Sequence, residues 1–282
     1  MRKNEDYAVE TLKQSHFICL IAAAAALSAC SSAGEALGDA LTPSPAPKGH
    51  YRTLKIEASQ SNTLLPDADS SITITDSEKQ GAERTKTYRS GDGFDMGNKL
   101  LDRITELEYE RKDGSGKVFD RGKLVLYRQD YSAVVGLIPS YVAANGSGLE
   151  SGKLHIAGAQ GEHTRAADIP QSGEAHYTGS AFAEAGYGQK DYGKLDYTVN
   201  FATRKGRGSI SGLPGKSDIT LEEAALATRP DSTTGVDGNA RSADWGSGSY
   251  NATLFGPKYN EIAGGAYFPD NKQSVGMAGK KQ

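Results

Sequence analysis

The sequence predicts an all-β protein, with an N-terminal β domain followed by an eight-stranded, up-and-down antiparallel β-barrel. Three observations predict it. From His50 onward, apolar and polar residues alternate with period two, the pattern of a half-buried antiparallel strand. Short turn-forming breakers such as Gly256-Pro257 and Asp270-Asn271 separate the alternating runs. The 282 residues include 34 glycines and 14 tyrosines but only 10 prolines, which suits strands and turns and excludes collagen-like or generically disordered chains. Two cysteines cannot build a disulfide scaffold, so ladders and packing must hold the fold.

Residues 1–29 read as a lipoprotein signal peptide. Phe17 to Leu27 is an uncharged apolar run of eleven residues, too short for a spanning helix, which needs about 20. It fits the apolar core of a secretory signal. The run leads into Leu27-Ser28-Ala29-Cys30, which resembles the lipobox of bacterial lipoproteins, so Cys30 is the expected site of acylation. Cleavage before Cys30 would discard Cys19 and leave one thioether-linked cysteine. Several acyl chains at ~0.8 kcal/mol per buried methylene make a durable membrane anchor, whereas one chain binds marginally. Residues 30–49, with Pro43, Pro45 and Pro47 and few bulky side chains, read as a lipidated flexible tether. Ser31 and Ser32 follow the cysteine, and by resemblance to known lipoproteins the absence of aspartate there favours the outer membrane.

Residues 50–157 read as the N-terminal β domain. Leu54/Ile56, Ile72/Ile74, Leu107/Tyr109 and Leu124/Leu126 have strand spacing, while Leu100 to Leu107 and Tyr131 to Val142 are open between strand and helical turn. Residues 158–282 read as the barrel. Its strands are expected at 174–182, 194–203, 207–212, 216–222, 237–245, 248–256, 261–268 and 273–280, the fifth being weak because only Trp245 is bulky. Closure into a barrel would remove exposed edges. Small inward residues such as Gly179, Gly264 and Ala266 would let a narrow interior fill with side chains.

Catalytic signals are missing from the sequence, and a non-enzyme is expected. It holds no Gly-x-Ser-x-Gly, no Gly-x-Gly-x-x-Gly and no His-Glu-x-x-His, and Gly215-Lys216-Ser217 lacks the first glycine of a phosphate loop, since Ile210 stands there. Glu222-Glu223 would point to opposite faces of a strand, unlike a glycosidase pair. His155, His163 and His176 could approach one another, but a metal site needs three or four converging ligands, and structural or solvent-facing roles are expected instead. Glu162-His163-Thr164 reads as a hydrogen-bonded turn opening the barrel. A formal net charge of −3 argues against nucleic acid as a partner. No cofactor and no metal are expected.

Gly161-Glu162-His163-Thr164, the run from Gly173 to Phe182, and Gly193 to Ala202 together resemble the factor H-binding protein family of neisserial surface lipoproteins. Gly248-Ser249-Tyr250, Phe255-Gly256, Glu261-Ile262-Ala263-Gly264 and the closing Lys281-Gln282 extend the resemblance, as does Gly122 to Gln129 upstream. It implies a lipidated tail, an open or taco-like N-terminal β domain and a C-terminal eight-stranded barrel. It also implies a monomer on the outer-membrane surface that binds the host complement regulator factor H. The family's two glutamate contacts to factor H fall, on ungapped alignment, at Gly246 and Tyr267, neither of them acidic. Tyr267 could supply an aromatic anchor in place of charge. Two alternatives follow: capture of another host protein such as transferrin or haemoglobin, and a barrel carrying a small apolar molecule. The lipid reading has a direct check. Cys30→Ala should release the protein from membranes and abolish lipid labelling, and unchanged fractionation would refute it.

Overall fold

The computed structural model describes residues 49–59, 63–144, 146–184 and 192–282, so the signal, the lipobox Cys30 and most of the tether lie outside the described residues. Pro47–Gln282 is one compact unit. Its first part is a six-stranded antiparallel sheet in the order β3-β2-β5-β6-β7-β8, faced by a two-stranded β1-β4 sheet. The strands are β1 (Thr53–Lys55), β2 (Ser71–Thr75), β3 (Thr85–Arg89), β4 (Gly93–Asp95), β5 (Arg103–Lys112), β6 (Val118–Arg128), β7 (Ser132–Val142) and β8 (His155–Gly161). The second part is a closed antiparallel barrel of β9 (Glu174–Phe182), β10 (Gly193–Asn200), β11 (Lys205–Ser211), β12 (Ile219–Thr228), β13 (Thr234–Ser242), β14 (Gly246–Phe255), β15 (Glu261–Phe268) and β16 (Gln273–Lys281), with β16 pairing back to β9.

The fold class and the eight-strand barrel stand as the alternation predicts. Both segments left open between strand and helix are strands. Tyr131 to Val142 contains β7, a central strand with neighbours on both sides and both faces covered, so its apolar run does not alternate. Leu100 to Leu107 leads into β5, which begins at Arg103. Two barrel strands depart furthest from their expected bounds, while β10 ends at Asn200 rather than 203 and β11 and β14 begin two residues early. β12 continues six residues past 222, through a register irregularity between Leu221 and Leu226 that breaks the alternation. β13 lies at 234–242, and Trp245 is in the following turn, packed on Phe268 with ring centroids 5.4 Å apart. The boundary drawn at 157/158 falls inside β8.

The barrel interior is filled by side chains, among them Tyr177, Leu195, Tyr197, Val199, Phe201 and Phe268. Two buried phenols meet inside, Tyr197 and Tyr250, with their oxygens 3.1 Å apart. This packing argues against an apolar cargo. Gly179 and Gly264 have a second reason to be glycine. A Cβ would fall 2.0 Å from the Ala278 carbonyl oxygen at the first and 2.1 Å from that of Asn251 at the second. Close backbone approach, as much as interior volume, selects them.

One face of the large sheet packs on the outside of the barrel. Val125, Tyr127 and Val134 meet Phe182, Phe255 and Ala278 in a continuous apolar cluster. At its end stands a buried carboxylate. Glu261 of β15, only 2% exposed, accepts the backbone N–H of Asp130 at 2.9 Å, that of Tyr131 at 3.1 Å and the Ser132 hydroxyl at 2.7 Å. Burial pushes its pKa up, against the lowering effect of those three donors and of nearby Lys280. Folding therefore favours the protonated form, so this group's contribution is fullest below the ordinary carboxylate range and declines as pH rises through the raised value.

Two outcomes follow for this junction. In a carbon-detected NMR titration, Glu261 should take up its proton at a higher pH than Glu150, whose lysine partners hold it low. Glu261→Ala strands three donors and should lose about 2–3 kcal/mol in urea unfolding. A titration point for Glu261 below that of Glu150, or an unchanged unfolding midpoint for the variant, would contradict this account of the junction.

Candidate functional site

Where β8 and the segment before β2 come alongside the outer faces of β13, β14 and β15, they enclose a groove of about 990 Å³. Both parts of the unit supply walls. On the sheet side, Tyr51 donates to Gln160 Oε1 at 2.9 Å, and Gln160 also bonds the Lys55 backbone in both directions, N–H to Oε1 at 2.9 Å and Nε2 to carbonyl at 3.0 Å. That side chain satisfies the N–H and C=O of Lys55 at the end of β1, which pairs with β4 on its other edge. Burial pushes the Tyr51 phenol up to about 12, so it stays a neutral donor. On the barrel side, Arg229 forks onto Asp237 at 2.8 and 2.9 Å and reaches Thr253 Oγ1 at 2.8 Å.

One end of the groove holds His163, stacked on Phe255 at 4.8 Å. Burial lowers its pKa, with Asp231 opposing and Arg229 and Lys55 reinforcing the shift, so the ring is neutral at neutral pH. The Glu162–Thr164 segment is not the turn that the sequence suggests. It runs extended beside β14, with a His163–Phe255 bridge and the Thr164 N–H on the Leu254 carbonyl at 3.1 Å. The other end holds Tyr267, which is 44% exposed and lies opposite Ser249 on β14 and Ser274 on β16. Three turns frame it. Lys272 pairs with Glu150 at 2.7 Å, Lys153 donates to the Asn271 carbonyl at 2.5 Å, and Asn271 Nδ2 donates to the Trp245 carbonyl at 3.2 Å.

Tyr267 and Gly246 share one end of the β14–β15 hairpin but not one face. Tyr267 has the outward phase of Ser249; Gly246, opposite Ser242, has the phase of inward-facing Tyr250. Gly246 adopts a φ of +77°, and the Asp270 carboxylate lies 3.9 Å from where its Cβ would be. The left-handed backbone explains why a side chain is disfavoured there. The three histidines go separate ways: His155 accepts the Glu150 N–H at 3.0 Å, His163 stacks on Phe255, and His176 sits 3.2 Å from Thr198 Oγ1. Glu222 and Glu223 pair with Arg241 and Lys205 respectively. Sequence reading missed Glu57, Arg229, Asp231 and Asp237 as groove residues. Arg229-Pro230-Asp231-Ser232 is legible as a turn, but its partners across the groove are set only by docking of the sheet.

With this geometry in place, residues 167–266 match the family model described as factor H binding protein, C-terminal. The match spans the barrel from before β9 into β15. Among solved structures, isotype 1 transferrin binding protein B from serogroup B Neisseria meningitidis is 16% identical, covering 76% of this chain and 43% of its own, with a TM-score of 0.46. A double mutant of transferrin binding protein B from Haemophilus parasuis is 15% identical over 76% of this chain and 45% of its own, with a TM-score of 0.43. A structure titled a surface lipoprotein is 14% identical over 77% of this chain and the whole of its own, with a TM-score of 0.39. The chain spans less than half the length of these two transferrin binding proteins.

The two residues at this end of the β14–β15 hairpin differ in what they contribute to stability. Tyr267→Ala should leave the unfolding free energy within about 0.5 kcal/mol, because the side chain is largely exposed and not in the core. Gly246→Ala should cost about 1 kcal/mol through its left-handed backbone. Thermal and urea unfolding of the two variants side by side would show the contrast.

Proposed function

We propose that this chain is a lipid-anchored outer-membrane protein, exposed at the cell surface, that binds host factor H and so recruits a complement inhibitor. The observation that carries the reading is the match of residues 167–266 to the factor H binding protein C-terminal domain. The Cys30 motif supports the anchor, and the residues expected to follow it support a tether long enough to lift the folded unit from the bilayer, roughly 60 Å if extended. The barrel supplies a rigid platform and Tyr267 an exposed aromatic of the kind that serves as an interface anchor.

Neither Gly246 nor Tyr267 can make the charged contacts that the resemblance assigns to their positions. Close interfacial charge pairs are worth ~1.5–7 kcal/mol, so their loss has to be offset by other contacts. The same substitutions favour a second reading, in which the architecture captures another host protein such as transferrin or haemoglobin. Surface plasmon resonance on immobilised residues 31–282 separates the two. Human factor H and factor H from other mammals should bind at micromolar or tighter affinity, with at least tenfold weakening in Tyr267→Ala. Silence across species from a folded protein, together with binding of transferrin or haemoglobin, would replace the first reading by the second.

A further inference from the structure

A buried lysine in the N-terminal sheet region is packed between two carboxylates. Lys99, in the connection from β4 to β5, has a side chain only 1% exposed. Its Nζ lies 2.7 Å from Oδ2 of Asp76, a side chain 3% exposed and one residue past β2. It also donates to Glu78 Oε2 at 2.7 Å, and Glu78 reaches the surface. An ion pair this deep is costly to desolvate, and the compensation it needs is a full set of well-aligned hydrogen bonds. Among the described residues, Asp76 Oδ2 has no aligned donor. The ammonium is thus bonded to Glu78 and pressed against the Asp76 carboxyl off the hydrogen-bonding direction. A carboxyl C–O bond adds about 1.2 Å, so Nζ lies within about 4 Å of Cγ.

Both partners are held from behind. The Lys99 carbonyl accepts from Arg128 Nη1 at 2.9 Å, and the Lys99 N–H donates to the Met96 carbonyl at 2.8 Å. The Asp76 N–H donates to the Arg84 carbonyl at 2.7 Å. Asp76 Oδ1 accepts the Glu78 N–H at 3.1 Å, a donor aimed where negative charge would develop if a nucleophile added to Cγ. A nucleophile, its electrophile, an oxyanion donor and a proton acceptor therefore stand together on fixed backbone.

We propose that Lys99 and Asp76 join in an intramolecular isopeptide bond, with Glu78 carrying the proton. Nζ passes one proton to the Glu78 carboxylate and adds through its lone pair to Cγ. The Cγ–Oδ2 bond then breaks. Oδ2 leaves as water with two protons, one from Nζ and the one held by Glu78. Nζ keeps its third proton as the amide N–H, and Glu78 ends as the carboxylate it began as. The reaction consumes no oxidant and no second reactant. The neutral amide removes the desolvation cost of the ion pair. It also closes residues 76–99, with β3 and β4 inside, into a covalent loop. Such a loop restrains the unfolded chain as a disulfide does, by a chemistry that needs no cysteine.

Mass spectrometry of denatured residues 31–282 tests this directly. The intact mass should be one water below that of the sequence. Trypsin does not cut after an acylated lysine, so digestion should release residues 56–79 joined to residues 90–103. Lys99→Arg keeps the positive charge but removes the amine, and should show the full mass and separate peptides. Glu78→Gln, at an exposed position, should fold and also show the full mass. A wild-type mass equal to that of the sequence would overturn the proposal. Loss of one water with residues 56–79 recovered unjoined would overturn it too, because that is the mark of a succinimide at Asp76. A Glu78→Gln protein joined as completely as wild type would overturn the role given to Glu78.

Discussion

Glu261 stands where the two halves of the folded unit meet, and much of the functional geometry depends on it. Its carboxylate closes the donors of the turn between β6 and β7 with acceptors from β15, beside an apolar cluster that continues the contact. Leaving those donors dry would cost more than the contact gains, so the register of sheet on barrel is fixed by satisfaction as well as by burial. The groove is a consequence of that register. Shift β8 along the barrel and the Tyr51–Gln160–Lys55 wall no longer faces the Arg229–Asp237 wall.

A second buried polar group fixes the other side of the sheet. Arg128 is fully buried and is held by the carbonyls of Tyr51, Met96 and Lys99 at 2.9–3.1 Å. Burial lowers its pKa, with Arg52 adding to the effect. Its role is to tie the entering chain and the β4–β5 connection to the end of β6, which sets where Tyr51 and Lys55 meet β8.

The barrel was legible because its strands alternate and its turns carry glycine, proline and asparagine. Leu195, Tyr197, Val199 and Phe201 all face the core, as their spacing requires. Where alternation failed, so did the reading. β7 is covered on both faces and reads as an undivided apolar run, and β12 crosses an irregularity that shifts its phase. The site was less legible than the fold. Tyr267 could be picked out only through a family resemblance, and its exposure and its three supporting turns come from tertiary contacts. Glu57 and Asp231 are 174 positions apart in the chain and share a groove only after docking, a relation that no local pattern encodes.

The way the chain enters the fold has a mechanical meaning. At Gly49 it passes beside the Arg128 guanidinium; His50 and Tyr51 then both donate backbone N–H groups to the Asp130 carbonyl at 2.8 Å, and His50 stacks on Tyr131 at 4.6 Å. Asp130 and Tyr131 are in turn the residues whose N–H groups Glu261 accepts. Tension applied to the chain at Gly49 is thus delivered first to the hydrogen bonds at the seam. The eighth strand of the barrel closes against the first by its own ladder, β16 to β9, outside that load path. A pull applied at Gly49 would strain the seam before the ladder that closes the barrel wall carrying Tyr267.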